Sequence, residues 1–329
     1  MNLKKKKVFV TGAAGFIASH LVEALIKRKA NVACLVRYNS RNHWGFLDSF
    51  PTELKSKIDV VTGDLKDHDA MRKAVRGHDV IFHLGALIAI PYSYVHPYDF
   101  IQTNILGTAN MLSAALEENV ERFVHTSTSE VYGTPKSLPI SETFPLQAQS
   151  PYSATKIAAD KLAESFHKSY GLKVVTVRPF NTYGPRQSAR AVIPTIITQA
   201  LKSNKIFIGS LHPKRDYTYV TDTATGFIQA AECDRLIGDV VNLGTGDYNS
   251  IGSIIEKIKK ILGKDLKVVQ EKQRIRPQKS EVLKLCADIS KAKAMFNWQP
   301  KVSIDEGLSR TVRWISDNID LYKHNIYTK

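Results

Sequence analysis

Apolar runs of strand length alternate with amphipathic helical patterns in the first half of the chain. The first run is "KKVFVTG", and in the segment after it Ile17, Leu21 and Leu25 recur at helical spacing. Similar strand-like runs follow at "NVACLVR", "IDVVTGDL", "DVIFHLGA", "RFVHTST" and "KVVTVRP", with helical segments between several of them. This alternation predicts an α/β fold built on a doubly wound parallel sheet.

The pattern changes after about residue 180. Proline and glycine mark several turns there, and helical patterns return at "SIGSIIEKIKKILG" and at about 303–319. No linker separates the two regions. We therefore expect a large sheet domain over 1–180 and about 218–245, and a smaller C-terminal α/β substrate-binding lobe over about 181–217 and 246–329.

Composition narrows the class of protein. The chain has 329 residues, 43% hydrophobic and 23% charged, which is ordinary for a globular protein. No run of about 20 apolar residues occurs, so we expect no membrane span. Cys34, Cys233 and Cys286 have neither metal-site nor disulfide spacing, which indicates a reducing, cytoplasmic location and no metal centre. The net charge is +15, but the lysines are dispersed without a stacking motif, so no nucleic-acid partner is expected. A cationic surface suits anionic substrates such as diphosphates.

A glycine-rich turn follows the first predicted strand. The segment "VFVTGAAGFIASH" places Gly12, Gly15 and Ala18 between a strand and a helix. Glycines there permit a tight turn and let backbone N–H groups approach a pyrophosphate at the helix N-terminus. The turn therefore predicts a Rossmann-type sheet that binds a nicotinamide dinucleotide.

The end of the second predicted strand bears on which dinucleotide is bound. NAD sites usually have an acidic residue there, which holds the ribose hydroxyls. This chain has Arg37, with Ser40 and Arg41 close behind. Because arginine suits a 2′-phosphate, we favour NADP, with NAD beside a surface arginine as the alternative. Asp64, after the third strand, is expected near the adenine.

A tyrosine and a lysine supply candidate proton-transfer chemistry. Tyr152 and Lys156 stand four residues apart in "SPYSATKIAAD" and share a helix face. An ammonium and an oxidised nicotinamide nearby would lower the tyrosine pKa from about 10. Thr128 can share the proton of a substrate hydroxyl. These three residues form a proton relay for oxidising an alcohol by hydride transfer.

In these motifs the chain resembles the extended short-chain dehydrogenase/reductase superfamily, in its nucleotide-sugar branch. The resemblance covers nearly the whole chain and includes "TGAAGFIASH", "TSTSEVYG", "YSATK", "RPFNTYGPRQ", "RDYTYVTD" and "NLGTG". Within that branch it looks most like the NDP-sugar 4,6-dehydratases. It looks closest to the UDP- or GDP-N-acetylglucosamine 4,6-dehydratases of legionaminic-acid-type pathways, through "LIAIPYSYVHP", "YNSRNHWGFL" and "RIRPQKSEVLKLCAD".

The resemblance implies a hydro-lyase of surface polysaccharide biosynthesis. It would convert an NDP-N-acetylglucosamine to the 4-keto-6-deoxy sugar by oxidation at carbon 4, loss of water across carbons 5 and 6, and hydride return to carbon 6. Glu130 is the candidate base for the carbon 5 proton. Some relatives carry Asp where this chain has Ser129, so either Glu130 makes both proton transfers or Ser129 relays one through water.

The resemblance also implies binding residues. The expected cofactor-binding residues are Gly12, Gly15, Phe16, Ile17, Arg37, Asp64, Leu65, Leu84, Ala86, Thr126, Tyr152 and Lys156. The expected substrate-binding residues are Ser93 for the hexose, Asn181, Arg215 and Arg276 for the nucleotide diphosphate, and Glu281 for ribose hydroxyls. His83 is expected to pack beside the cofactor and Asn104 to satisfy helix backbone and water near the site.

Other functions remain open. A UDP-glucuronate decarboxylase shares the Thr-Ser-Glu triplet, but usually reads Tyr-Asp-Glu-Gly-Lys where this chain has "YSATK". A 4-epimerase would not be expected to hold Glu130, and a non-catalytic dinucleotide sensor would not need Thr128, Tyr152 and Lys156. The sequence leaves open UDP or GDP, the exact hexose and the configuration at carbon 5. By resemblance we expect a homodimer with a four-helix interface formed by helices around 98–118 and 152–170.

Overall fold

The structure is a computed structural model that describes residues 1–322, so the last seven residues of the predicted C-terminal lobe lie outside the described part. The strands are β1 (Lys7–Thr11), β2 (Asn31–Val36), β3 (Ile58–Thr62), β4 (Val80–His83), β5 (Arg122–Thr126), β6 (Val174–Pro179), β7 (Asn181–Tyr183), β8 (Lys205–Ile208), β9 (Lys214–Arg215), β10 (Tyr217–Tyr219), β11 (Val240–Leu243), β12 (Asn249–Ser250) and β13 (Lys267–Gln270). The α-helices are α1 (Phe16–Lys27), α2 (Thr52–Lys55), α3 (His68–Val75), α4 (Ile90–Val95), α5 (Pro97–Phe100), α6 (Gly107–Glu117), α7 (Pro151–Tyr170), α8 (Val192–Lys202), α9 (Val220–Glu232), α10 (Ile251–Leu262), α11 (Ser290–Phe296) and α12 (Ile304–Asp317). A π-helical segment, Ile101–Leu106, joins α5 to α6.

Seven parallel strands form the main sheet, in the order β11-β6-β5-β4-β1-β2-β3. The chain builds outward from β1 in one direction and from β4 in the other, so the strand order reverses between these two neighbours. This confirms the predicted doubly wound parallel sheet. A ligand crevice is expected outside the carboxyl ends of the strands at this reversal point.

Helices cover both faces of the sheet, which explains the almost continuous apolar runs in its strands. Along β1, Val8 and Val10 join one buried cluster, with helices α1 and α9 packed against it. Phe9 points to the opposite face and belongs to a second cluster that receives Met71 of α3 and Met111 of α6. Each of these side chains is fully buried, so the sheet is held in place from both sides.

A third apolar cluster lies in the C-terminal part of the chain. It gathers side chains from β7, β8 and β10 and from α8, α10 and α12, including Ile197, Ile254 and Ile315. Helix α10 matches its predicted span because Ser250 caps its start and Gly263, at φ +62°, ends it. This separate core supports the predicted C-terminal lobe, whose boundaries stay a prediction.

Two further properties concern the described residues only. None of the helices within 1–322 has both the length and the apolar character that a bilayer crossing needs. Over the same range, no three His, Cys, Asp or Glu side chains are grouped so that they could hold a metal ion.

Candidate active site

The glycine turn after β1 forms a backbone cradle at the reversal point of the sheet. Gly12 has φ +69°, and a Cβ built on it would lie 2.9 Å from the backbone of Gly85. Gly15 donates its N–H to the Gly12 carbonyl at 2.8 Å and precedes α1, whose first turn no side chain caps. Predicted residues Phe16 and Ile17 open that turn. The uncapped N–H groups and the absence of side-chain bulk fit a dinucleotide pyrophosphate.

The opposite wall of this cradle comes from the segments that follow β3 and β4. The Leu84 carbonyl carbon lies 3.1 Å from the Cβ position of Gly12, and Leu65 contacts Gly85 closely enough that a Cβ there would meet it at 2.8 Å. The structure therefore brings Gly12, Leu65 and Leu84 together as predicted. Ala86 follows in the same loop, half-buried, and Asp64 is half-buried after β3 with its Oδ1 accepting the Lys66 N–H at 3.0 Å.

A buried histidine ties this wall to β1. His83 Nδ1 is hydrogen-bonded to Thr11 Oγ1 at 2.9 Å, and its Nε2 to Thr108 Oγ1 of α6 at 3.1 Å. Thr11 Oγ1 also accepts the Gly85 N–H at 2.9 Å. Burial lowers the pKa of His83 well below its ordinary value, so the ring is neutral. His83 thus orders the cradle, and sequence analysis missed the two threonines that partner it.

The end of β2 carries exposed basic side chains. Arg37 and Arg41 are exposed, and Asn39 holds their loop together by accepting the His43 N–H at 3.0 Å and donating to the His43 carbonyl at 2.8 Å. The first carboxylate after the strand, Asp48, accepts the Trp44 N–H at 2.8 Å. Directly after β2, where NAD sites usually carry an acid for the ribose, this chain has the exposed Arg37.

Three candidate catalytic side chains meet where α7 passes the carboxyl end of β5. Thr128 caps a short 3-10 turn, Ser129–Tyr132, by accepting the Glu130 N–H at 3.3 Å. Tyr152 lies in the first turn of α7, where Ser150 and Ser153 form a capping box. One turn further on, Lys156 donates to the Thr126 carbonyl at 2.6 Å. Side chains more than 20 positions apart in the chain thus share one small site.

Burial has the largest influence on the pKa values of Tyr152 and Lys156. Burial raises the pKa of Tyr152 above its ordinary value; the hydrogen bond with Thr128 lowers it, while the Glu130 and Asp160 charges raise it. Burial also lowers the pKa of Lys156 to about 8, although Asp160 raises it. Without a cofactor, burial outweighs the other influences on the pKa of Tyr152. That the ammonium and an oxidised nicotinamide together lower this pKa stays a prediction for the cofactor-bound protein.

Glu130 and Ser129 sit on the same 3-10 turn but in different surroundings. Ser129 is 3% exposed, whereas Glu130 is half-buried. Within residues 1–322, the Glu130 carboxylate makes no hydrogen bond or ion pair, although it lies close enough to Tyr152 to affect its pKa. Thr126 Oγ1 is a buried hydroxyl without a partner in the same range. Both groups thus keep unused hydrogen-bonding capacity among the described residues.

Three of the predicted substrate residues also meet. Arg215 is 6% exposed and donates to Glu281 at 3.1 Å, and Arg276 lies 3.7 Å from the same carboxylate. Asn181 pairs with Tyr217 across β7 and β10. Among the described residues, Asn181 Oδ1 and the Tyr217 hydroxyl are buried without hydrogen-bond partners. Tyr217 was not predicted, and no spacing in the sequence distinguishes it from a core aromatic residue.

Two other predicted residues have partners of their own. Ser93 is fully buried and donates to the Ile90 carbonyl at 2.7 Å within α4, so its hydroxyl proton is not directed to a ligand. Asn104, in the π-helical segment, accepts the Leu87 N–H at 2.8 Å and donates to the Leu87 carbonyl at 2.9 Å and to Thr155 at 3.0 Å. It therefore satisfies the backbone of the loop after β4 and links that loop to α7.

A glycine cradle beside Thr128, Tyr152 and Lys156, on a doubly wound sheet, is the arrangement expected of a short-chain dehydrogenase/reductase. Residues 9–311 match the family described as GDP-mannose 4,6 dehydratase, and the chain belongs to that family. The prediction of an enzyme of the dehydratase class is confirmed at this level. The finer resemblance to N-acetylglucosamine dehydratases is not.

Individual relatives differ in activity. The chain is similar to a UDP-N-acetyl-alpha-D-glucosaminuronate decarboxylase of Bacillus cytotoxicus, with 32% identity over 95% of this chain and 98% of the relative. Among solved structures, it resembles the dTDP-glucose 4,6-dehydratase DesIV of Streptomyces venezuelae with a TM-score of 0.85 and 29% identity, covering 96% of this chain and 99% of the other. It resembles a UDP-glucuronic acid 4-epimerase of Bacillus cereus with a TM-score of 0.86 and 32% identity, covering 95% and 99%. Both solved relatives contain NAD, in agreement with the predicted NAD or NADP cofactor.

Proposed function

We propose that the chain is a nucleotide-sugar 4,6-dehydratase. The observation that carries this proposal is the Glu130 carboxylate, which is half-buried, has no partner among the described residues and stands two positions after Thr128 beside Tyr152. A 4-epimerase needs only the relay, because its keto intermediate merely turns over. A dehydratase needs a further base for the proton on carbon 5.

The residues have distinct roles in the proposed reaction. Tyr152 takes the proton of the carbon 4 hydroxyl, with Thr128 sharing it and Lys156 holding the strand end through Thr126. A nicotinamide dinucleotide, which the turn at Gly12 and Gly15 would hold, would supply the hydride chemistry at carbons 4 and 6. Glu130 removes the carbon 5 proton once carbon 4 is a ketone, and the carbon 6 hydroxyl leaves as water after taking a proton from Glu130 or through Ser129.

The proposed substrate is a UDP- or GDP-linked N-acetylglucosamine. Arg215 and Arg276 offer guanidinium groups that suit diphosphate oxygens, and Asn181 offers a buried amide oxygen without a partner among residues 1–322. The choice of an N-acetyl sugar is based on the resemblance of the segments "LIAIPYSYVHP" and "RIRPQKSEVLKLCAD" to the N-acetylglucosamine dehydratases. We propose NADP over NAD because Arg37 and Arg41 stand at the end of β2 without an acid for the ribose hydroxyls.

A decarboxylase and an epimerase are the competing functions, since relatives with each activity are about one-third identical to this chain. Incubating the protein with UDP-, GDP- and dTDP-linked N-acetylglucosamine, hexoses and hexuronates, and following product mass, separates them. Loss of water without added cofactor supports the dehydratase, loss of carbon dioxide the decarboxylase, and an isomer of unchanged mass the epimerase. Tyr152→Phe is the control that should silence all three.

A further inference from the structure

One acid near the relay has no role in the chemistry described so far. Asp160 of α7 is buried, and its carboxylate is hydrogen-bonded to His125 Nε2 at 3.0 Å and accepts the Ser127 hydroxyl at 2.7 Å. Arg178 of β6 also donates to it, from Nε at 3.2 Å and Nη2 at 3.0 Å. Burial by itself would raise the pKa of Asp160, but these partners hold it below its ordinary value, so it is ionised.

The position of Asp160 relates it directly to the relay. It follows Lys156 by one helical turn and Tyr152 by two, on the same face of α7. Its partners His125 and Ser127 flank Thr126, whose carbonyl accepts the Lys156 ammonium at 2.6 Å. The Asp160 and Lys156 side chains therefore hold His125, Thr126 and Ser127 at the end of β5. Thr128 follows directly.

A second branch reaches the turn that carries Glu130. Arg178 Nη1 donates to the Tyr132 hydroxyl at 3.0 Å, and that hydroxyl donates to Asn242 Oδ1 at 2.8 Å. Tyr132 is the last residue of the 3-10 turn that begins at Ser129. Asp160 thus contacts the end of β5 directly, and it is linked to the 3-10 turn through Arg178.

The charged groups around Lys156 give Asp160 an electrostatic role as well. On α7 these are Asp160 and the neutral phenol of Tyr152; His83 of β4 and His125 of β5 are buried, and burial lowers the pKa of each. The Arg178 cation pairs with Asp160 at 3.0 Å, and Glu130 lies close enough to Tyr152 to affect its pKa. Asp160 is the acid that raises the pKa of Lys156.

We infer that Asp160 is a positioning residue for the relay: it clamps α7 to the end of β5 and keeps a negative charge beside the Lys156 ammonium. The inference rests on the proposed role of Tyr152 and Lys156 but not on which sugar reaction follows. Acidic residues occur on many helices. The sequence signal is the spacing from Tyr152 to Lys156 to Asp160, at intervals of four, in "YSATKIAAD".

Asp160→Asn tests the inference because it keeps the side-chain shape and removes the charge. Since the charge favours protonated Lys156, its loss should lower the Lys156 pKa from about 8. In protein labelled at the lysine Nζ atoms, the resonance that Lys156→Met removes should titrate at lower pH in Asp160→Asn than in the native protein. This NMR titration needs no turnover, so it remains decisive even if the sugar panel shows no loss of water.

Activity gives the second readout, on whichever sugar reaction the panel reveals. Misplaced relay groups should lower kcat by about 10–100-fold, with KM within about twofold of native. The alkaline limb of the pH profile should also move to lower pH, because a Lys156 with a lower pKa loses its proton earlier as pH rises.

Two further variants separate positioning from loss of fold. Asp160→Asn leaves Arg178 buried without its counter-charge, which can unfold the chain, so Asp160→Asn/Arg178→Met removes both charges together. Glu164→Gln, one turn further along α7, removes a surface acid that pairs with Lys161 and Lys168, and it should leave the titration and kcat unchanged. An unshifted Lys156 titration in the folded Asp160→Asn or double variant would overturn the inference. So would a rise in KM with kcat unchanged.

Discussion

Glu130→Gln separates the two chemical halves of the proposed reaction. Glutamine matches glutamate in size, and among the described residues the Glu130 carboxylate makes no hydrogen bond or ion pair. Only the Glu130 backbone helps to hold the turn: its N–H donates to Thr128 at 3.3 Å and its carbonyl accepts the Gly133 N–H at 3.4 Å. The free energy of unfolding should therefore change by no more than about 0.5 kcal/mol, as for other substitutions away from structural contacts.

Elimination should fail in this variant because no base remains for the carbon 5 proton. General acid–base groups contribute about 10²–10⁴-fold, which corresponds to roughly 2.7–5.5 kcal/mol on the barrier. Oxidation at carbon 4 should survive, because Thr128, Tyr152 and Lys156 are unchanged. It should even be favoured, since the Glu130 charge raises the pKa of Tyr152 and the variant removes that charge.

A single-turnover experiment measures both halves together. Absorbance of the reduced nicotinamide reports oxidation, and product mass reports loss of water. Glu130→Gln should accumulate the reduced band and a 4-keto sugar of unchanged oxygen content, whereas Tyr152→Phe should show neither signal. If Glu130→Gln loses water at nearly the native rate, the carboxylate is not the base and the reasoning from its free, half-buried position is refuted.

Three further predictions concern cofactor and assembly. The native protein should retain NADP through purification, and extraction of NAD alone would contradict this. In calorimetry, Arg37→Ala should weaken NADP binding by about 10–100-fold, which is the value of a charge-assisted hydrogen bond. NAD binding should stay unchanged. Gly12→Ala should abolish dinucleotide retention and lower the melting temperature, because φ +69° costs an L-residue about 1–2 kcal/mol and its Cβ would meet the Gly85 backbone at 2.9 Å. Light scattering at micromolar concentration should show a homodimer, formed through the helical segments over 97–117 and 151–170. Tyr98 and Tyr170 in these segments are 79% and 61% exposed. Tyr170→Asp should weaken the dimer, and a monomeric native protein would count against the prediction.

Much of the cofactor site could be predicted because it depends on local pattern. The turn between β1 and α1 is set by glycines three residues apart, and Tyr152 and Lys156 share a face because a helix repeats every 3.6 residues. The doubly wound parallel sheet follows from the alternation of strands and helices in the same way.

Other features required contacts between distant parts of the chain. Glu281 meets Arg215 and Arg276, a pairing across 66 positions in the first case that no spacing reveals. Burial, which a local pattern does not report, sets the direction of the Tyr152 pKa in the protein without cofactor. The Ser93 hydroxyl donates to the Ile90 carbonyl, a contact that the sequence pattern also does not report.

The sequence by itself thus determined the parallel sheet, and periodicity and short spacings also predicted the dinucleotide turn and the relay residues. Tertiary structure decided which charges face one another: Asp160 beside Lys156, His125 and Arg178, and Glu130 free beside Tyr152. These arrangements depend on how α7 lies across the ends of β5 and β6. That packing is settled by the fit of two apolar surfaces over the whole sheet and not by any short segment.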